Sequence, residues 1–313
     1  MLRLGIDIGG SSIKLGIVED SSGKVISHKD LKFFYGAWDK NLANIKEAAG
    51  EMLTKNNLKL SDIESVGIGV PGLLDKNCEV LDEAYNLGLS NINIKNDFEN
   101  LFSPLRITIV NDADAAGLCE YYFGAFKGRE NVCLLTLGTG LGGCIILDGK
   151  LFTGGNKRGI ELGHMKIEKD GNLCTCGGRG CAESYVSATA LSNKIKKLYE
   201  ETKDEAILNA AGGKIENINS KILMDLAKNN HEGAKKIVDE FVEYLSIAIS
   251  NICVLYDPEI IALGGGVTSS YELWFDELIK KVKEKTFGGR EFEIKIAKHE
   301  IDAGFIGAAM AGK

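Results

Sequence analysis

One pattern occurs twice in this chain and limits what it can fold into: an apolar strand, a glycine-rich turn and a second apolar strand. Residues 2–8 run into Gly9-Gly10 and resume at 13–18. Residues 132–137 run into Gly138-Thr139-Gly140-Leu141-Gly142-Gly143 and resume at 144–147. Short apolar runs on either side of a tight turn read as a β-hairpin. Each hairpin opens a half that continues with further strands and helices, so two related α/β lobes with a cleft between them are expected. A length of 313 residues also exceeds the usual size of a single core. Periodicity predicts helices over 41–55, 113–126, 185–201, 220–229, 233–256 and 303–311. It predicts further strands over 66–70, 107–110, 260–263 and 291–297. No Pro-rich or Ser-rich linker separates the halves. The expected division is a small lobe of 1–118 plus the C-terminal helix at 298–313, and a large lobe of 119–297.

The composition narrows the partners. A net charge of -7 argues against the basic face that nucleic-acid binding needs. The N-terminus enters a strand at once, without the basic start and apolar stretch of a signal peptide. No apolar run reaches the roughly 18 residues needed to cross a bilayer. Eight cysteines are many, but three crowd into one loop, and Cys78, Cys119, Cys133, Cys144 and Cys253 are scattered through strand and helix patterns. Buried free thiols suit a reducing compartment, so a cytoplasmic protein is expected.

Three glycine turns stand at strand ends. In Asp7-Ile8-Gly9-Gly10-Ser11, glycine lets the backbone bend so that successive amides can face phosphate oxygens. Asp7 could hold Mg²⁺ through water, with Lys14 adding positive charge nearby; the plain alternative is a hairpin turn. Gly138-Thr139-Gly140 adds a hydroxyl to a second bare turn. Gly264-Gly265-Gly266 forms a third, where a flat base can approach closely. None fits G-x-x-x-x-G-K-[ST], so a P-loop is excluded. Gly138 to Gly143 matches G-x-G-x-x-G by letters, but it opens a hairpin rather than a helix, which disfavours a Rossmann site.

Asn111-Asp112 sits where a strand passes into a helix. Both residue types cap helices well, so simple capping is one explanation. The other makes Asp112 a general base and Asn111 a hydrogen-bond partner for a substrate hydroxyl. Further on, His164, Cys174, Cys176 and Cys181 supply one imidazole and three thiols within eighteen residues, with glycines between them. That set suits a closed, structural tetrahedral Zn²⁺ site; a local disulfide or unliganded thiols are the alternatives. Glu161 and Glu183 flank the cluster, so a metal would bring both carboxylates to one place where sugar hydroxyls could be held. The alternative, that both are ordinary surface acids, is disfavoured by the flanking ligands.

Taken together these residues resemble the ROK family of sugar kinases and repressors. The resemblance runs from Asp7-Ile8-Gly9-Gly10 through Asn111-Asp112, Gly138-Thr139-Gly140 and Glu161-Leu162-Gly163-His164 to Gly264-Gly265-Gly266. Its most specific part is Glu161-x-Gly-His164 with the cysteine loop and Glu183. The resemblance implies an actin-like ATPase (ribonuclease H-like) fold, ATP with Mg²⁺, and a structural Zn²⁺ on His164, Cys174, Cys176 and Cys181. It implies Asp112 as catalytic base, with Gly72, Asn111, Glu161, His164 and Glu183 around a hexose. Asp7, Gly9, Gly10, Ser11, Lys14 and the other two glycine turns would face the nucleotide. The run from Cys181 to Ala190 looks most like bacterial glucokinases, with N-acetylmannosamine kinases the alternative. Two positions depart from the pattern: Ser11 replaces a threonine, and Asp114 stands where asparagine is common, placing a second acid near the base. The repressors of the family carry a winged helix ahead of this fold, and the first glycine turn at residue 9 leaves no room for one. A homodimer or tetramer is expected by the same analogy.

Overall fold

The computed structural model describes residues 1–156, 159–299 and 302–313. The chain divides into two compact units. The first comprises Met1–Leu134, Cys144–Ile160 and Ala297–Lys313, the second Leu135–Gly143 and Glu161–Ile296.

The first unit opens with β1 (Leu2–Ile8), β2 (Ser12–Glu19) and β3 (Val25–Lys32), an antiparallel meander. Helix α1 (Trp38–Lys55) follows, and β4 (Ile63–Val70) returns parallel to β1. Strands β5 (Leu73–Leu74), β6 (Leu81–Ala84) and β7 (Leu89–Ile92) form a small separate sheet. After α2 (Ile94–Phe102), β8 (Arg106–Asn111) runs parallel to β4 and passes directly into α3 (Asp112–Phe123). The sheet order is β3-β2-β1-β4-β8. One face of its centre is apolar, with Ile6, Ile8, Leu15 and Ile68 fully buried beside Ile45 of α1, and the other is lined by Gly5, Gly16, Gly67 and Gly69. Strand β3 lies at the edge and alternates half-buried and exposed positions, the pattern of a strand with one solvated face.

The second sheet contains β9 (Val132–Leu137), β10 (Leu141–Leu147), β11 (Lys150–Leu151), β12 (Ile260–Gly264) and β13 (Glu293–Ile296). Its order, β11-β10-β9-β12-β13, repeats that of the first sheet strand for strand. The helix expected over 185–201 is two helices, α4 (Glu183–Val186) and α5 (Ala188–Thr202). The break falls at Ser187, whose backbone is extended (φ -73°, ψ 158°) and whose hydroxyl caps α5 by accepting from the Ala190 amide at 3.1 Å. A serine that can satisfy a new helix start competes well with continuation of the old one. Helices α6 (Glu205–Ala210) and α7 (Ser220–Lys228) precede the 25-residue α8 (Glu232–Tyr256). Val238, Phe241, Leu245, Ile249 and Ile252 form the buried stripe of α8, at the spacing of one helix face. Helix α9 (Phe275–Lys285) packs beside it. Among the described residues, no helix is long and apolar enough to cross a membrane.

The last helix, α10 (Ala303–Met310), returns to the first unit and is buried along almost its whole length. It lies so close to β1, β4 and α3 that the contact points must be glycine. A Cβ on Gly5 or Gly67 would overlap the carbonyl oxygens of Phe305 or Ala308, and one on Gly307 would overlap the Ala115 carbonyl. The buried Glu120 of α3 ties in the approach to this helix. Its carboxylate accepts from the Ala125 amide at 2.6 Å and from the His299 amide at 2.7 Å.

These contacts separate two glycine substitutions. Gly67→Ala forces a methyl into the α10 backbone and should cost about 1–3 kcal/mol or more of stability. Gly50→Ala, on the exposed side of α1 with nothing within 4 Å of the new carbon, should gain about 0.5–1 kcal/mol. Denaturant unfolding of the two variants checks both signs.

Candidate active site

In the first unit the acids gather at the C-terminal ends of the parallel strands. Asp7 pairs with Lys14 across the β1–β2 hairpin, and the turn between them is closed by the Gly9 amide donating to the Ser12 carbonyl at 2.9 Å. Asp7 stands level with Gly69 of β4, which stands level with Val110 of β8. Asn111 and Asp112 therefore emerge just beyond Asp7, two strands away. Asn111 is the N-cap of α3; its side-chain oxygen and that of Asp112 each accept from the Ala113 amide at 2.9 Å. Capping is thus real, and it leaves the second oxygen of Asp112 uncommitted to that bond. Burial pushes the Asp7 carboxyl up to about 6, the charge of Asp112 adds to the rise, and Lys14 opposes it. The Asp112 side chain reaches solvent yet is closely surrounded by protein. That crowding raises its carboxyl above the ordinary range, against the pull of the backbone amides. Asp114, by contrast, is buried and takes a hydrogen bond from the Cys144 thiol of β10. Gly72, at φ +114° after the end of β4, has no space for a side chain because the Glu83 carbonyl and Ala84 lie against it.

In the second unit two glycine turns lie side by side. Gly138 opens the β9–β10 turn, closed by its amide donating to the Gly140 carbonyl at 3.0 Å. Gly265, at φ +90°, follows β12, and a Cβ there would come within 2.6 Å of the Leu137 carbonyl oxygen. Around Gly138 and Gly266 a Cβ would meet nothing within 4 Å. These bare, open backbones fit a ligand that lies directly on them, as phosphate oxygens or a nucleoside would.

The cysteine loop closes on itself. The Cys174 amide donates to the Gly178 carbonyl at 2.8 Å, and Gly177 and Gly180 take positive φ. One donor atom each from His164, Cys174, Cys176 and Cys181 lies within 4.8 Å of the others. His164 Nδ1 is 3.6 Å from Cys174 Sγ, and Cys176 Sγ is 3.6 Å from Cys181 Sγ. A tetrahedral zinc with metal–sulfur bonds of about 2.3 Å separates its sulfurs by roughly 3.7 Å. The donor set and its spacing therefore fit zinc. Lys166 donates to Cys181 Sγ at 2.7 Å, placing a cation beside the three thiols. Glu161 immediately precedes the single helical turn that carries His164, and Glu183 Oε1 lies 3.6 Å from Cys174 Sγ. Cys174 thus touches both His164 and Glu183.

Each unit assembles its own share of the expected residues: Asp7, Lys14, Asn111 and Asp112 in the first, the cysteine loop with Glu183 and two glycine turns in the second. Three participants escaped the sequence reading. Gly304, the second residue of α10, has the Asp7 carboxylate where a Cβ would stand. Thr175 donates to Glu183 Oε1 at 2.9 Å, and Thr189 donates to the Thr139 carbonyl at 2.7 Å. No local pattern marks them, since each matters only through a partner distant in sequence.

The chain matches the ROK family model over residues 3–313. It is 32% identical to a glucokinase of Thermotoga maritima, an alignment spanning 98% of this chain and 95% of that protein. It is 28% identical to an N-acetyl-D-glucosamine kinase of Aliivibrio fischeri over 97% of each chain. The crystal structure of a ROK family glucokinase from Streptomyces griseus, in complex with glucose and AMPPNP, superposes with a TM-score of 0.81 at 30% identity. It covers 99% of this chain and 98% of that one. The actin-like ATPase fold, the doubled five-stranded sheet and a family match from residue 3 to the last residue agree, and the chain belongs to the ROK family.

Proposed function

We propose that this chain is an ATP-dependent hexose kinase that transfers the γ-phosphoryl group to the 6-hydroxyl of a sugar, with glucose the leading substrate. The observation that carries this reading is the placement of Asp112. It is the first residue of α3, beside the capping Asn111, with a solvent-reachable carboxylate whose proton affinity is raised. A carboxylate so placed accepts a hydroxyl proton more readily than an ordinary surface aspartate. Phosphoryl transfer needs little else beyond positioning and charge stabilisation. Asn111, Gly72, Glu161, His164 and Glu183 would orient the sugar, and the amides of Gly10, Ser11, Thr139 and Gly140 would hold the phosphates, with the Gly9 and Gly138 amides closing the two turns. The bare Gly264 to Gly266 backbone would lie under the nucleoside. Asp7 would hold Mg²⁺ through water, with Lys14 close by; the ion supplies charge neutralisation on the β- and γ-phosphates. The resemblance to glucokinases from two sources supports glucose, with an N-acetylhexosamine such as N-acetylmannosamine the alternative.

His164, Cys174, Cys176 and Cys181 would bind one structural Zn²⁺. With Nδ1 turned to the cysteines, Nε2 of His164 is left for a sugar hydroxyl, so the metal would set the ring's orientation. None of the eight cysteines forms a disulfide in the structure, and reduced thiols suit a reducing, cytoplasmic setting. A homodimer remains the proposed assembly.

Coupled ATP-to-ADP turnover across glucose, N-acetylmannosamine, N-acetylglucosamine, mannose and fructose tests the reaction. Turnover should be strong on glucose and should fall by about 100-fold or more in Asp112→Asn. Survival of turnover in that variant would remove Asp112 from its role. Elemental analysis should find one zinc per chain in active protein and none in Cys181→Ser; active protein without zinc would overturn the metal assignment. Asp7 gives a stability prediction. Its carboxyl sits near 6 against an ordinary 3.8, so its ionisation weakens the folded state above that range. Asp7→Asn should therefore stabilise the ligand-free protein at pH 7 by on the order of 1–3 kcal/mol. That gain should fade as pH drops through about 6 and vanish below the ordinary 3.8, where folded and unfolded chains both hold the proton. Thermal melts of the two proteins across this range read the difference.

A further inference from the structure

The assignment of Glu183 to the sugar leaves most of its contacts unexplained. Its two carboxylate oxygens serve different parts of the second unit. Oε1 accepts from the Thr175 hydroxyl at 2.9 Å, between two cysteines of the loop. Oε2 accepts from the Leu141 amide at 3.1 Å and lies against Gly140 so closely that a Cβ there would overlap it. The residues after Glu183 extend this hold. The Ala188 amide donates to the Gly138 carbonyl at 2.8 Å, and the Thr189 hydroxyl to the Thr139 carbonyl at 2.7 Å. Three positions of the β9–β10 turn are therefore fixed by one short segment that begins just after Cys181. Each carboxylate oxygen can accept a second hydrogen bond, so Glu183 can take a sugar hydroxyl without releasing either partner.

We propose that Glu183 links the sugar site to the Gly138–Gly140 turn, so that each ligand tightens binding of the other, and that Thr175 is the positioning residue that holds Glu183 in this bridging arrangement. The inference rests on the proposed function: Glu183 at the sugar and the turn at the nucleotide phosphates. A sugar hydroxyl on Glu183 restrains the carboxylate, the carboxylate restrains the Leu141 amide, and the turn presents its backbone already ordered. Ordering done by one ligand need not be repeated for the other, and linkage makes the gain equal in both directions. Thr175 is the point at which this link can be cut alone. It lies outside the four metal-donor residues, and valine keeps its shape while removing the hydroxyl.

The experiment is calorimetric titration of glucose into the full, zinc-loaded chain with and without saturating AMPPNP, and the reverse titration. In the wild type, AMPPNP should lower the glucose dissociation constant by about 5-fold or more, with the same factor in reverse. In Thr175→Val that ratio should fall toward unity at unchanged zinc content, and Thr175→Ser should restore it. Thr189→Val, which removes the neighbouring bond to Thr139 and leaves the cysteine loop intact, should lower the ratio too and carries the test if Thr175→Val fails to fold. A ratio of unity in the wild type, or a wild-type ratio in both valine variants, overturns the link. Glucose binding that survives Glu183→Gln unchanged removes instead the assignment of Glu183 to the sugar, so the two failures are told apart.

Discussion

Where Gly67 of β4 meets the Ala308 carbonyl of α10 there is no room for one additional carbon atom, and the first unit is organised around that contact. The helix can reach the sheet only because Gly5 and Gly67 lie bare on adjacent strands, and α3 can reach the helix only because Gly307 is bare as well. Packing this close leaves almost no freedom in the relative placement of β1, β4 and α3. Asp7 ends the first of these elements and Asp112 begins the last. The separation of the two acids is therefore set by backbone contact rather than by long side chains, which is what a site built on positioning requires. Gly304, pressed against the Asp7 carboxylate, brings the same helix to the edge of the site.

The second unit solves a similar problem with different means. Its two glycine turns are aligned by neighbouring strands, Gly265 lying against the carbonyl that precedes Gly138. The cysteine loop has little apolar surface of its own, and Cys176 is exposed; four side chains converging on one point replace a core there. Lys166 offsets the negative charge that three deprotonated thiols would bring. Rigidity at the loop is then passed along the chain through Glu183 and Ser187, the residue at which one helix ends and the next begins.

Much of this was legible in the sequence, for a physical reason. Strand β1 is an alternating run and β9 and β12 are nearly continuous apolar ones, all ended by glycine, and the His/Cys cluster is made of rare residue types at close spacing. Edge strand β3 and the small β5–β7 sheet were not anticipated, because a polar, half-exposed strand has almost no hydropathic signature. Helices α2 and α9 were missed although each carries a one-sided apolar pattern, Ile94, Phe98 and Phe102 in the one and Leu278 and Val282 in the other, and the break at Ser187 was hidden inside continuous helical periodicity. Within the candidate site, the positions of Asp112 at the strand-to-helix junction and of His164 beside the cysteines were readable from the sequence. A position was not readable where only a neighbour's position gives it meaning: Thr175, Thr189 and Gly304 are ordinary residues until their partners are known. Asp114 carried the opposite lesson, since its closeness to Asp112 in sequence pointed to the base, while its carboxylate is turned to Cys144.

The return of the last helix to the first unit has a consequence for how the protein is made. A ribosome releases β1, β4 and α3 early, but the eight residues that cover their glycine faces emerge only after the second unit. Until then the nascent first unit exposes bare sheet and apolar helix surface, while the second unit, apart from nine residues, is a single continuous stretch that emerges in between. Domains that are contiguous in the chain can complete during synthesis, and split ones must wait. The half of the molecule bearing Asp112 is thus the half born incomplete, with its unfinished surface open to chaperones until the second unit has been made.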